Sequence, residues 1–237
     1  MSASTVRVAL VYPELLGTYG DRGNAVILER RLAWRGIAAE LVEVRAGAAV
    51  PSDVDVFVLG GGEDDPQSLA AEGLRASKPA IEHALDHGAA MLAVCAGFQL
   101  LGHSYEAADD EHVPGLALLD MVTVAGADRL VGECVVEPDA PLPLLTGFEN
   151  HAGRTRLGDG VAPLGPVRVG RGNGDGVDGA RADRVVGTYL HGPVLARNPA
   201  LADLLLGWVV GQLPPIDDGL ALRLRAERLA AAGLNAR

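Results

Sequence analysis

Cys95 stands in LAVCAGFQLLG (92–102), and a short apolar run of buried-strand length, AAMLAV (89–94), leads directly into it. The small residues Ala96 and Gly97 follow, suiting a tight turn into a helix that starts near Gly97. A thiol at such a junction has the makings of a nucleophile elbow, its side chain held above the C-terminal edge of a sheet. A helix N-terminus beneath the sulfur favours the thiolate, the nucleophilic form. The backbone N–H of Ala96 points where an oxyanion would form. A lone cysteine is otherwise most often a small buried hydrophobe. Cys134, inside the apolar VGECVV, reads that way; the strand-turn-helix context sets Cys95 apart.

A second oxyanion donor is available in LGGGEDDPQ (59–67), where Gly60, Gly61 and Gly62 allow close backbone approach by one of their amides. This triple glycine is no phosphate loop, since G-x-x-x-x-G-K-[ST] occurs nowhere in the chain. The thiol also needs a base. His191 closes the strand-like RVVGTYLH (184–191), and Gly192-Pro193 follows, so it projects from a strand end, where α/β sites assemble. His83 and His87 lie four apart on a predicted helix with no third ligand evident; they read as a solvated face, and no metal site is expected. The Gly/Asp run RGNGDGVDG (171–179) matches no calcium-loop spacing and reads as a surface turn.

These residues need a scaffold, and the first half supplies repeated strand-turn-helix units. VRVALVY (6–12), IAAELVEV (37–44), VDVFVLG (54–60) and AAMLAV read as strands. AVILERRLAWR (25–35) reads as a helix stopped by Gly36, and Pro79 as the opening residue of a helix AIEHALDHG that Gly88 ends. Alternation of this kind predicts an α/β fold with a mostly parallel central sheet and helices on both faces. After residue 115, MVTV (121–124), VGECVV (131–136) and RVVGTYLH lie between Gly, Pro and Asp-rich turns and predict more antiparallel structure. LADLLLGWVVG (201–211) reads as a helix. Pro214-Pro215 ends the compact unit, and 217–233 reads as an Asp-capped terminal helix. One domain over 6–212 with a helical tail over 213–237 is expected.

Composition narrows the function. The 237-residue chain carries a net charge of −11, which argues against nucleic acid or an anionic membrane surface as partner. Hydrophobic residues make up 49%, enough for one sizeable core. Two cysteines are too few for a disulfide framework, no apolar run reaches the ~18 residues of a membrane span, and the N-terminus lacks the pattern of a secretory leader. A cytoplasmic chain without membrane insertion is the expectation.

The elbow VCAGFQLLG, the GGGEDDPQ loop and the late YLHGP resemble class I (triad-type) glutamine amidotransferases, in their cobyric acid synthase-like branch. Within it, YGDRGN (19–24), GFENHAGRT (147–155), the Gly/Asn/Asp turn after residue 170 and GTYLHGPVLARNP (187–199) resemble glutaminase subunits that serve a synthetase acting on lipid II. The resemblance covers roughly residues 6–212 and implies a flavodoxin-like amidotransferase fold.

It further implies that Cys95 attacks the γ-carboxamide of L-glutamine, forming a thioester and releasing ammonia, with His191 protonating the leaving amine and then activating water. The amides of Gly62 and Ala96 would hold the oxyanion. Arg129, in GADRLVGE, matches the family arginine that binds glutamine; the alternative is a solvent-facing turn arginine. Where many relatives carry a glutamate two residues after the histidine, this chain has Pro193. His191 then works as a dyad with Cys95, or another acid, from this chain or a partner, orients it. Asn150, His151 and Arg154 shape either the pocket or a partner surface. The implied partner is a Mur-ligase-like (MurT-type) ATP-dependent synthetase subunit that amidates the D-glutamate α-carboxylate of lipid II in peptidoglycan synthesis. No cofactor is expected in this chain, ATP and Mg belonging to that subunit, and the complex would sit at the inner membrane face. Rival readings are an amidotransferase for another carboxylate, such as a corrinoid, and a non-catalytic regulatory module.

Overall fold

The computed structural model describes residues 5–106 and 112–234, apart from the side chains of residues 64 and 65. Its first half runs β1 (Val6–Val11), α1 (Arg22–Ala33), β2 (Ala39–Val44), β3 (Val56–Leu59), α2 (Asp64–Asp86), β4 (Ala90–Val94) and α3 (Ala96–Leu100). There follow β5 (Ser104–Glu106), β6 (His112–Pro114), β7 (Met121–Val136), β8 (Leu145–Leu157), β9 (Gly165–Val169) and β10 (Val177–Asp178). The chain closes with β11 (Ala180–Ala182), β12 (Val185–Thr188), α4 (Val194–Arg197), α5 (Pro199–Val210) and α6 (Gly219–Ala231).

Continuous apolar runs make the central strands: β3, β4 and β12 are buried at every position. The main sheet has the order β11-β12-β4-β3-β1-β2 and is parallel except for the β11 edge. From β1 the chain moves one way to β2 through α1, and from β3 the other way to β4 through α2. Right-handed crossovers therefore put α1 and α2 on opposite faces. The strand order also brings the C-terminal ends of β1, β3, β4 and β12 side by side, and the loops leaving those ends carry the residues of interest. A second sheet, β10-β9-β7-β5-β6 with β8 paired to β7, is largely antiparallel.

Four local expectations need correction. Pro79 does not open a helix; it lies inside the 23-residue α2. Buried Ala70, Ala71, Leu74, Ser77, Ile81 and Ala84 form one helical stripe that continues past it, so packing outweighs the missing N–H. MVTV and VGECVV are the two ends of a single strand, β7, whose register against β8 shifts between Ala125 and Leu130. The run at 171–179 is not a surface turn: Asn173 and Asp178 are buried, and Asn173 bonds both the N–H and the C=O of Gly179 (2.8 and 2.9 Å). Finally, Asp218 does not cap α6 through its side chain.

That carboxylate is committed to Arg31 instead. Arg31, only 3% exposed on α1, donates to Asp218 (2.6 and 2.9 Å) and to Asp203 of α5 (2.8 and 2.7 Å). Farther along α6, Arg225 donates to Leu144 O (2.8 and 2.6 Å) and Leu229 is fully buried, so α6 packs back on the domain. Replacing Arg31 with Met is expected to destabilise the fold by on the order of 2–3 kcal/mol. Urea unfolding would measure this, and limited proteolysis would show the segment after residue 212 cut first.

Candidate active site

Cys95 sits one residue beyond β4 with φ 52° and ψ −107°, a left-handed conformation that a non-glycine residue adopts only under constraint. The constraint is visible. Cys95 N donates to Thr188 O (2.9 Å), Gly97 N to Gly60 O (3.0 Å), and Gln99 N back to Cys95 O (2.9 Å). A Cβ at position 97 would lie 2.8 Å from Leu59 Cβ and 2.9 Å from Gly60 O, so only glycine lets the elbow close on the end of β3. The Sγ ends 4.0 Å from Asn150 O of β8.

His191 lies three residues beyond β12, bridged to Phe148 by paired backbone hydrogen bonds (3.1 and 2.8 Å). It is 2% exposed, and its Nδ1 is 3.1 Å from Oδ2 of the fully buried Asp21. The same Oδ2 accepts from Gly61 N at 2.8 Å. The other ring nitrogen, Nε2, has no hydrogen-bond partner and is the one left for Cys95; resting-state bonds of this kind are often long. Burial opposes charge on the imidazole, but the Asp21 hydrogen bond and the neighbouring Cys95 raise its pKa to about 10.

A cavity of about 140 Å³ opens over the thiol, lined by Gly62, Gln67, Gln99, Arg129, Asn150 and His151 among others. Of the three glycines after β3, Gly61 has its amide bound to Asp21, and Gly62 is the one that borders the cavity. Arg129, exposed where the β7–β8 register shifts, donates to Asn150 Oδ1 (2.6 Å) and to Tyr19 OH (3.0 Å). Both partners are neutral, so its charge faces the cavity unneutralised by them. Glu63 and Glu106 border the same cavity. Among the described residues no cluster of three or more His, Cys, Asp or Glu side chains is arranged to hold a metal ion.

The profile of the CobB/CobQ-like glutamine amidotransferase domain matches residues 7–199. The chain belongs to this family. It is 38% identical over 194 residues to the lipid II isoglutaminyl synthase (glutamine-hydrolyzing) subunit GatD of Staphylococcus aureus, covering 81% of this chain and 79% of that one. The subunit of the same name from Streptococcus pneumoniae is 32% identical over 244 aligned positions, covering 94% and 90%. A crystal structure of a glutamine amidotransferase shares the fold at a TM-score of 0.56 and 22% identity, over 85% of this chain and 98% of that one.

Within this CobB/CobQ-like amidotransferase, the structure brings Gly62, Cys95 and Arg129 to one cavity at the sheet's C-terminal edge, with Ala96 next to the thiol in α3 and the buried His191 beside it. Asn150 and His151 line the cavity as well, whereas Arg154 turns away to Asp128 and to the carbonyls of Ala152 and Gly153. Asp21 was missed as a site residue. Its one sequence signal is its place in YGDRGN, in the loop that leaves a buried strand.

Because the folded pKa of His191 is raised, the Asp21–His191 pair contributes stability that is fully present below about pH 6.5 and lost as pH rises toward about 10. Asp21→Asn is therefore expected to lower the His191 pKa toward its ordinary value, read by imidazole NMR titration. The stability gap to wild type should be widest near pH 6 and close as the pH approaches 10.

Proposed function

We propose that this chain is the glutaminase subunit of a lipid II isoglutaminyl synthase. The observation that carries the chemistry is a strained thiol beside a buried histidine whose far nitrogen is fixed by Asp21, under a cavity bordered by Arg129. Support for the acceptor comes from 32–38% identity to the two GatD subunits over most of the chain.

In this reading Arg129 takes the α-carboxylate of L-glutamine as a charge-assisted pair. Glu63 and Glu106, the carboxylates bordering the cavity, face the α-ammonium. Cys95 Sγ attacks the γ-carboxamide carbon, and the oxyanion settles on the amides of Gly62 and Ala96. His191 passes a proton to the leaving nitrogen, the C–N bond breaks, ammonia leaves and a thioester remains. Water, deprotonated by His191, then cleaves the C–S bond to give glutamate and regenerate the thiol. Asp21 keeps the imidazole in one tautomer and orientation throughout, which makes it the third acid that Pro193 does not supply.

Ammonia made here needs an activated carboxylate. We assign that activation to an ATP- and Mg-dependent, Mur-ligase-like synthetase acting on the D-glutamate of lipid II, as the family resemblance implies. The word "subunit" in both relatives' names agrees with such a partner. No described helix is long and apolar enough to cross a membrane, and contact with the lipid substrate would come through that partner.

Ammonia release from glutamine, measured with and without the synthetase, tests the proposal. Wild type should release it, faster with the partner, and Cys95→Ala should lose at least about 10³-fold in kcat. Equal turnover by Cys95→Ala would sink the assignment. Arg129→Met should raise KM for glutamine by roughly tenfold or more and change kcat far less.

A further inference from the structure

Asp178 is fully buried, does not line the cavity, and stands at the end of a glycine-rich loop. Its Oδ2 accepts the Thr188 hydroxyl at 2.6 Å, a short charge-assisted bond, and its Oδ1 accepts Tyr189 N at 3.2 Å. The Thr188 hydroxyl in turn accepts Leu190 N at 3.1 Å. One carboxylate thus fixes three successive residues, and the fourth is His191. The carbonyl of that same Thr188 accepts the amide of Cys95 at 2.9 Å.

The loop delivering Asp178 is itself fastened. Glu149 accepts Arg171 N (3.0 Å) and Gly172 N (2.8 Å), and Asn173 clamps Gly179 from both sides. Asp178 belongs to β10 of the second sheet and Thr188 to β12 of the main sheet, so the bond between them ties one sheet to the other at the strand end that carries the base.

We propose that Asp178 is a positioning residue that, through Thr188, sets the distance between Cys95 and His191. The inference rests on Cys95 and His191 being nucleophile and base. A carboxylate that only filled space would be a poor choice, because a buried charge is costly unless fully hydrogen-bonded. Here its donors all lie on the segment joining the two reacting groups.

The test uses the full chain with its synthetase. Thr188→Val keeps shape and β-branching but removes the hydroxyl, Thr188→Ser keeps the hydroxyl, and Asp178→Asn removes the charge. For Thr188→Val and Asp178→Asn, kcat should fall roughly 10- to 100-fold while KM for glutamine stays within about twofold. The pH midpoint for alkylation of the Cys95 peptide by iodoacetamide, read by mass spectrometry, should move with it. Thr188→Ser should restore both. A purely structural role would lower the unfolding midpoint and leave kcat and the alkylation profile of the folded protein alone, and that result overturns the proposal. Should Asp178→Asn fail to fold, Thr188→Val decides the matter by itself. If wild type releases no ammonia, the glutaminase reading fails separately, and the alkylation profiles still judge the role of Asp178.

Discussion

A single buried oxygen, Oδ2 of Asp21, accepts from Gly61 N and pairs with His191 Nδ1, and the geometry of the cleft follows from it. Asp21 leaves the end of β1, Gly61 the end of β3 and His191 the end of β12, with the thiol of Cys95 rising from β4 among them. Three loops that could otherwise move independently are joined at one point. The join demands its own sequence: a Cβ at Gly61 would lie 2.7 Å from the His191 ring, so the base and the glycine loop touch only because residue 61 has no side chain. Asn24 extends the hold by donating to Asp21 and accepting Leu195 N, which ties the segment after His191 to α1.

Beneath the thiol a second set of polar groups does for the floor what Asp21 does for the wall. Gln67 donates to Gln99, Gln99 to the hydroxyl of Tyr189, and that hydroxyl lies 2.7 Å from Thr155, itself 2.9 Å from Thr123. His151 stacks on Tyr189 with 3.6 Å between centroids and 9° between planes. Burial holds His151 below its ordinary pKa even though Glu149 is near. Side chains hydrogen-bonded to one another in a buried set resist rearrangement, because each change would leave a desolvated donor or acceptor unpaired. This one links α2, α3, β7, β8 and the loop after β12, the elements that surround the cavity.

The strands of the main sheet and the elbow could be read from the sequence because their signal is local. Continuous apolar runs such as AMLAV identify buried parallel strands, and the change from Val94 to Cys-Ala-Gly marks a turn within a few residues. The placement of Cys95 and His191 was legible for that reason, each lying at or just beyond the end of such a run. Asp21 was not, since its partner is 170 residues away and an acidic residue in a loop carries no periodicity. Pro79 misled because a local rule about helix starts competes with a stripe of buried side chains on both sides of it. The glycines of 171–179 misled in the same way: their composition is that of a turn, and only the tertiary partners Glu149 and Thr188 make the segment a structural part.

The carboxylates of the two networks divide by burial, and the division bears on what the cleft can bind. Asp21, Glu149 and Asp178 are at most 3% exposed, and each is surrounded by N–H or O–H donors from the backbone or from His and Thr. Burial alone would raise Glu149, yet His151 and the amides of Gly172 and Arg171 hold it below its ordinary value. Their hydrogen bonds hold loops in place. Glu63 and Glu106 are not buried, and they border the cavity together with Arg129. Geometry and recognition are thereby assigned to different residues. A zwitterionic amino acid entering this cleft would meet one cation and two carboxylates near solvent, and its reacting end would reach a thiol whose surroundings the buried charges have already set.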